Sequence, residues 1–488
     1  MARTLSGAQR ELFQLISQAA FVNPFSPERD RLDERIAETS ADDPDVLDRL
    51  VERVSSSLER LSEKGPIAPS DFGGEDEALV EHAILFDAFH RYVDDLDAHI
   101  EAQLAAGEGP VEASFAPSLL GELTACGIAD ERARRMLTLF FQMRRAFFFI
   151  VRGLVGRSRS MRLLRQSLWN SVFTHDIRFY DRFLWDRMED FSTILLGETG
   201  SGKGAAAAAI GRSGFIPYLP EKKAFEFSFT EAFVPINLSQ YPESLIESEL
   251  FGHQKGAFTG ALADRPGVFD RCREHGAAFL DEIGEVTIPV QIKLLRVLQE
   301  RLYTSVGGVE ERKFTGRVIA ATHRPLDELR RKGRFRDDFY YRLSSDVIQV
   351  PPLRARLAEE PGELDDLLHN LIPRLVGEDA EEIYDLVRRC IDRDLGASYD
   401  WPGNVRELEQ CIRRIILTQT CAPDTRSGAD ASAGLVGALA AGSLTADELV
   451  ARYCALLYDR HGTYVEVAKI TGLDRRTVRK YVAGLEES

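Results

Sequence analysis

Thr193-Ile194-Leu195-Leu196-Gly197-Glu198-Thr199-Gly200-Ser201-Gly202-Lys203-Gly204 is the stretch that decides the fold. Thr193 to Leu196 reads as a short apolar strand, and Ala205 to Ile210, beyond the glycines, as a helical run. Strand, glycine loop and helix in that order are the setting of a phosphate-binding loop. The glycines let backbone N–H groups curl around phosphate, and the helix N-terminus adds its positive end. Lys203 is placed to neutralise the β- and γ-phosphates. The general motif puts Ser or Thr after the lysine to reach magnesium; Gly204 stands there instead.

Further along, Ala277-Ala278-Phe279-Leu280-Asp281-Glu282 reads as a buried strand ending in two carboxylates. Asp281 is placed to hold a magnesium ion and Glu282 to polarise the attacking water. Phe233–Ile236, Val318–Ala321 and Asp346–Val350 are further apolar strands, with helical stretches between several of them. That alternation predicts a parallel sheet wrapped by helices. Arg336 and Arg342, within Gly333–Leu343, are candidates for the positive charge that stabilises a γ-phosphate as its bond breaks.

The rest of the chain is modular. Its 488 residues are 44 % hydrophobic and 28 % charged, room for about three globular domains, which excludes a mini-protein or a low-complexity polymer. The net charge of −17 is uneven, with −17 in residues 1–130 and +9 in residues 131–170. Such a field repels phosphate on average, so the protein does not coat nucleic acid along its length. Leu12, Leu15 and Ile16, then Leu47, Leu50, Val51 and Val54, then Leu79, Val80, Ile84, Leu85 and Phe89 mark helical stripes in the front segment. The acidic runs at 42–45 and 94–95 follow no apolar strand, so no phospho-acceptor pocket is expected there. Residues 131–190 interleave arginines with Phe140, Phe141, Phe147 and Phe148. These read as long helices whose arginines snorkel or pair with the acidic segment, rather than as a nucleic-acid surface. Six scattered cysteines without a CxxC pair fit a reducing cytosol, and Arg144, Arg145 and Arg152 break the most apolar stretch, so a cytoplasmic protein with no membrane span is expected.

Between the two halves of the nucleotide motif lies Gly256-Ala257-Phe258-Thr259-Gly260-Ala261, a Phe-Thr pair bracketed by glycines, suited to touching something at a loop tip. This hexapeptide closely resembles the signature of the bacterial enhancer-binding proteins, AAA+ ATPases that activate RNA polymerase carrying sigma-54. The likeness runs from about Thr193 to about Thr418. It implies a multidomain chain: a helical N-terminal domain, an α/β AAA+ P-loop ATPase core with a helical lid, and a C-terminal helix-turn-helix. The corresponding boundaries are 1–165 for the regulatory helices, 166–355 for the α/β subdomain, 356–420 for the lid, 421–442 for an Ala/Gly/Ser-rich linker and 443–488 for the tail.

The resemblance further implies roles. ATP and Mg2+ bind at Gly197–Gly204 and Asp281; Gly256–Ala261 engage sigma-54, with Phe258 and Thr259 at the tip. Asn237 senses the state of Glu282, Thr322 and His323 form a first sensor, Arg406 in Trp401–Leu408 a second, and Arg336 and Arg342 are arginine fingers in a ring, usually a hexamer. In the tail, Tyr464–Ile470 reads as a helix, Thr471-Gly472-Leu473 as a turn, and Asp474 as the cap of a second helix from Arg475 toward Leu485. It is similar to the family's DNA-binding tail, with Arg475, Arg476, Thr477, Arg479 and Lys480 facing double-stranded DNA, in a dimer or higher assembly on paired sites. Two other readings stay open: an AAA+ protein-remodelling motor with no role at promoters, and a nucleotide-binding regulator without turnover, which Gly204 keeps open.

Overall fold

Five parallel strands form the central sheet: β1 (Thr193–Leu196), β2 (Phe233–Asn237), β3 (Ala277–Asp281), β4 (Arg317–Thr322) and β5 (Asp346–Gln349). Their order is β2-β3-β4-β1-β5. In this computed structural model the described residues are 3–40, 43–63, 65–377, 380–396, 398–421, 435, 438–439 and 444–486. The linker read at 421–442 therefore falls almost wholly outside them. The chain forms two compact units, residues 1–384 with 400–413, and residues 385–399 with 414–488.

The strand register positions the site. Asn237 lies opposite Asp281, Asp281 opposite Ala321, and Leu196 opposite both Thr322 and Gln349. The strands thus end along one line, the edge at which open α/β sheets take ligands. One sheet face, with Ala278, Leu280, Val318 and Ala320, packs on Val290 and Leu294 of the helix Ile288–Glu300 and on Phe339 and Leu343 of the helix Asp337–Leu343. Burial on both faces explains why these strands read as continuous apolar runs.

The other face carries a surprise. Leu195, Phe279 and Ile319 belong to the same apolar core as Phe13, Leu50, Phe86, Leu137 and Leu168 of the front helices. The helices Asp130–Gly153 and Arg159–Phe173 pack directly on the helix Lys203–Gly211 that follows the glycine loop. The boundary placed between residues 165 and 166 lies inside Arg159–Phe173. The segment Phe215–Glu231 has a matching role. Its short hairpin, Tyr218–Leu219 with Ala224–Phe225, stacks Phe225 on Phe141 at 4.0 Å, and Lys223 O accepts from Ala113 N at 2.8 Å.

The basic segment pairs inward, as its composition suggested. Arg144 forks onto Asp97 (2.6 Å to each oxygen), Arg132 reaches Glu81 (3.2 Å) and Arg152 reaches Glu101 (2.7 Å). Arg145 is wholly buried and donates to the carbonyls of Arg212 and Gly214, both at 2.7 Å, just beyond the phosphate-loop helix. It lies 4.4 Å from the Phe141 ring centre, and burial pulls its guanidinium down to about 9.

At the start of the chain, buried Asp76 accepts from Arg10 Nε and Nη2 at 2.8 Å and from Leu5 N at 3.0 Å. The Arg10 hydrogen bonds, with Leu5's, hold its carboxyl at about 2. A depressed folded pKa gives stability that is complete above the unfolded value of about 3.9 and is lost as pH falls toward 2. Wild type should therefore lose more stability than Asp76→Asn between pH 5 and pH 2.5, read as the shift in urea midpoint.

In the second unit, the helices Ala446–His461, Tyr464–Thr471 and Arg475–Glu486 enclose a small core of Cys454, Leu457, Val467, Val478 and Val482. Gly472 turns the chain at φ 71°, and Asp474 Oδ1 accepts from Arg476 N at 2.8 Å. Cys126, Cys272, Cys390 and Cys454 are free thiols, whereas Cys411 and Cys421 are disulfide-bonded, which corrects the all-thiol expectation for those two. Among the described residues, no helix is long and apolar enough to cross a membrane.

Candidate nucleotide site and loop

A cavity of about 500 Å³ opens at the carboxyl edge of the sheet, lined by the glycine loop, Asn237, Asp281, Glu282 and Arg406. Gly200 (φ 77°) and Gly202 (φ 109°) take the left-handed backbone that the tight turn requires. Lys203 is buried at the first turn of its helix, with Nζ 2.9 Å from the carbonyls of Gly197 and Glu198. Burial lowers its pKa, opposed by the charges of Glu282 and Asp281. Gly204 has open space where a Cβ would stand, so packing does not explain the missing side chain.

The acidic pair divides its partners. Burial, with the charge of Glu282, raises the Asp281 carboxyl above the usual range. Asn237 Nδ2 donates to Asp281 Oδ2 at 3.3 Å, so the structure pairs Asn237 with Asp281 rather than with Glu282. Glu282 sits in the left-handed region (φ 59°), a strained position for a residue with a side chain. Its Oε2 lies 2.7 Å from His323 Nδ1. Of the two first-sensor residues, His323 thus meets Glu282, while buried Thr322 accepts from Arg324 N at 3.1 Å through its hydroxyl. Magnesium fits this donor set. It commonly takes one or two carboxylates together with phosphate and water, and a cation beside Asp281 relieves the repulsion from Glu282.

The turn at Trp401–Arg406 closes over the loop. Gly200 O accepts from Val405 N at 3.1 Å, and Arg406 lines the cavity. The positive charge of Arg406 acts on both Lys203 and Asp281. Five supporting residues carry no separate signal in the sequence. Asn404, fully buried at φ 55°, accepts from Leu353 N at 2.7 Å and donates to Thr199 O at 3.0 Å and Glu198 Oε2 at 3.2 Å. Arg354 holds Glu198 (2.7 Å, Nη1 to Oε2). Gly153, Leu154 and Val155, where the front helix Asp130–Gly153 ends, also line the cavity.

A Cβ on Gly200 would overlap the Gly403 carbonyl and lie 2.9 Å from Arg406 Cβ. Gly200→Ala should therefore push the Arg406 turn away and weaken ADP binding about tenfold, from a left-handed penalty of roughly 1–2 kcal/mol. Fluorescent-nucleotide titration checks this.

Arg336 and Arg342 are not brought to this cavity. Arg336 forks onto Asp338 (3.0 and 2.7 Å), and Arg342 Nε donates to Leu298 O at 3.0 Å. Neither lines the pocket of its own chain.

The Gly256–Ala261 loop stands apart from the cavity but on the same wiring. Asn237 ends β2, and the helix Glu243–Phe251 follows and leads to Gly252 and the loop. Gly256 N donates to Ala261 O at 2.9 Å, closing the loop, while Phe258, Thr259 and Gly260 are exposed. Phe258 rests edge-on against His253 at 5.0 Å. A second loop joins it: the tip of the hairpin Leu302–Thr304 and Glu311–Lys313, where a Cβ on Gly307 would lie 2.7 Å from Ala257 Cβ. Leu262 and Val309, 86 % and 95 % exposed, make this double tip apolar. The hairpin carried no motif, so sequence reasoning missed it.

The tail residues are placed in keeping with their charge. Arg475, Arg476, Arg479 and Lys480 are exposed, Thr477 is half-buried, and Val478 and Val482 face the core.

Residues 184–349 match the sigma-54 interaction domain. The chain is 44 % identical over 224 residues to a Nif-specific regulatory protein of Azotobacter vinelandii, covering 46 % of this chain and 39 % of that one. It is 33 % identical over 371 residues to the DNA-binding transcriptional regulator NtrC of Rhizobium meliloti (strain 1021), covering 68 % of this chain and 69 % of that one. It is also similar to the crystal structure of NtrX from Brucella abortus in complex with ADP, at 19 % identity and a TM-score of 0.42, over 76 % of this chain and 80 % of that one. The chain thus spans well under two thirds of the Nif-specific regulator but more than two thirds of NtrC. It belongs to the family of sigma-54-dependent enhancer-binding transcription activators.

Proposed function

We propose that this protein binds upstream DNA and uses ATP hydrolysis to remodel closed complexes of sigma-54 RNA polymerase into open ones. The observation that carries the reading is the tether. Asn237 is hydrogen-bonded to Asp281 at the nucleotide cavity, and the chain leaving Asn237 ends, one helix later, in the exposed Phe258-Thr259 tip. A change at the carboxylates can therefore be felt at a surface built to touch a partner.

In this mechanism the backbone N–H groups of residues 199–204 and Lys203 bind the phosphates, and Arg406 closes over them. Asp281 would hold Mg2+, which supplies charge neutralisation on the β- and γ-phosphates. Glu282 accepts the proton of the attacking water, oriented by His323 Nδ1. Arg336 and Arg342 lie outside their own cavity, which supports their supply to a neighbour's site in a ring, usually a hexamer. Arg475, Arg476, Thr477, Arg479 and Lys480 form the DNA-facing side of a helix-turn-helix whose apolar side is Val478 and Val482. Exposed arginines at a helix start suit phosphate and major-groove contacts.

Co-precipitation with purified sigma-54 in the presence of an ATP transition-state mimic tests the reading. Wild type should retain sigma-54, and Thr259→Ala and Val309→Asp should each lose it while keeping ATPase activity. Absence of sigma-54 retention in every nucleotide state favours a motor that acts away from promoters.

A further inference from the structure

The nucleotide cavity has a second wall that phosphate binding does not explain. In the helix Glu363–Val376, Leu367, Asn370, Leu371 and Arg374 recur at i, i+3, i+4 and i+7, which is one face of the helix, and all four line the cavity. Leu154 and Val155, in the turn between the two long front helices, and Met161, at the start of the second, line it with them. Leu154, Met161, Leu367 and Leu371 are buried. An aliphatic wall of this kind suits the flat face of a ring. The few polar groups set into it decide which ring.

Most of those groups are engaged within the chain. Arg356 Nε donates to Glu363 at 2.6 Å, Arg374 Nη2 donates to Arg152 O at 3.3 Å, and Glu409 lies 3.7 Å from Arg413. The nearby carbonyls are occupied too: Leu154 O accepts from Arg165 Nη2 at 3.0 Å, and Val155 O from Arg356 Nη2 at 2.6 Å. Asn370 differs. It is half-buried between Leu367 and Leu371 on the cavity face, and its carboxamide has no partner among the described residues. An amide left open in an apolar wall costs stability unless something in the cavity meets it.

We infer that Asn370 reads the base of the nucleotide and selects adenine over guanine and hypoxanthine. The inference rests on the nucleotide reading of the cavity and adds the residue that chooses the base. The glycine loop takes the phosphates, which leaves the apolar wall for the purine. A carboxamide presents one acceptor and one donor side by side. Adenine answers with its N6 amino group and N7, so Asn370 Oδ1 accepts from N6 and Nδ2 donates to N7. Guanine and hypoxanthine present two acceptors on that edge, O6 and N7, and set one of them against Oδ1. On the N6/N1 edge the amide could turn over and fit guanine equally, so selection requires the N7 edge.

Competition of unlabelled ADP, IDP and 7-deaza-ADP against fluorescent ADP, on the full chain, tests this. Wild type should bind ADP about tenfold more tightly than IDP, the scale of one bidentate pair. The 7-deaza compound, in which C–H replaces N7, should also bind more weakly than ADP. Asn370→Leu, which keeps the size of the side chain and removes both polar groups, should weaken ADP and leave IDP nearly unchanged, so that all three compounds fall within about twofold of one another. Thermal melting identifies whether Asn370→Leu is folded; if it is not, Asn370→Ala replaces it. Equal weakening of ADP and IDP in the folded variant marks a merely structural residue and overturns the assignment. So does an unchanged ADP-over-IDP preference. Undiminished binding of 7-deaza-ADP to wild type overturns the N7 contact and with it the selection. A wild type that binds ADP and IDP equally sinks the inference alone, whereas one that binds neither sinks the nucleotide reading beneath it.

Discussion

Glu282→Gln should lower ATP turnover by at least about a hundredfold, the usual scale of a lost general base, while ADP affinity stays within about threefold of wild type. The asymmetry follows from geometry. In the proposed mechanism phosphate is bound by the loop backbone, Lys203 and the Arg406 turn, none of which is hydrogen-bonded to Glu282. Glutamine keeps an oxygen for the 2.7 Å contact with His323 Nδ1, so the left-handed turn at residue 282 keeps its partner. What it loses is the ability to accept a proton from water. Lys203→Ala should behave in the opposite way, losing nucleotide binding first, because it removes the cation buried among the loop carbonyls. Single-turnover hydrolysis and fluorescent-ADP titration separate the two. If wild type itself turns over no faster than Glu282→Gln, the chain is a nucleotide-binding regulator, and Gly204, with its unused space, becomes the first position to restore.

The parts of this molecule that were legible in the sequence are those governed by short-range rules. A glycine loop between an apolar strand and a helix can only curl one way, so Gly197–Lys203 declared itself. The five strand positions followed from apolar runs, which sheets buried on both faces require. The paired carboxylates at residues 281 and 282 sit where a strand ends, and register alone brings Asn237 opposite Asp281. Contacts between residues distant in sequence left no trace. Asn404 reads as one polar residue among many, yet its fold position makes it the peg between loop and lid. Arg145 looked like any arginine of a basic run until the carbonyls of Arg212 and Gly214 were seen beside it. The contact of Asn237 with Asp281, beside the Glu282 that the resemblance implies it senses, was hidden for a similar reason. Which of two adjacent carboxylates an amide reaches depends on the backbone at residue 282, and its left-handed turn carries Glu282 toward His323. The front helices were read as a separate body because stripes reveal that a helix has an apolar face but not what that face meets. Here it meets the sheet itself.

That shared core makes the connector between front helices and ATPase a stress point, and Glu363 its fastening. Glu363 is fully buried at the start of the helix Glu363–Val376. Its Oε2 accepts from the backbone N–H groups of Arg157 and Ser158, both at 2.7 Å, and its Oε1 from Arg356 Nε at 2.6 Å. Arg356, 3 % exposed, also donates to Val155 O at 2.6 Å, and a Cβ on Gly156 would overlap the Glu363 carboxylate. Residues 155–158 are thus pinned between the phosphate-loop cavity and the lid by one carboxylate. Glu363→Ala should destabilise the protein by about 3–5 kcal/mol, because it strands the Arg356 cation and leaves two N–H groups without an acceptor. Arg356→Met alone should cost less, since the remaining carboxylate keeps two backbone donors. The double replacement Glu363→Leu with Arg356→Met should recover a large part of the Glu363→Ala loss, because apolar side chains of similar volume escape the cost of burying an unpaired charge. Thermal unfolding of the three variants gives the comparison. A Glu363→Ala protein as stable as wild type would mean that water reaches Arg356, and that the connector is held by the neighbouring Arg157–Asp366 ion pair rather than by Glu363.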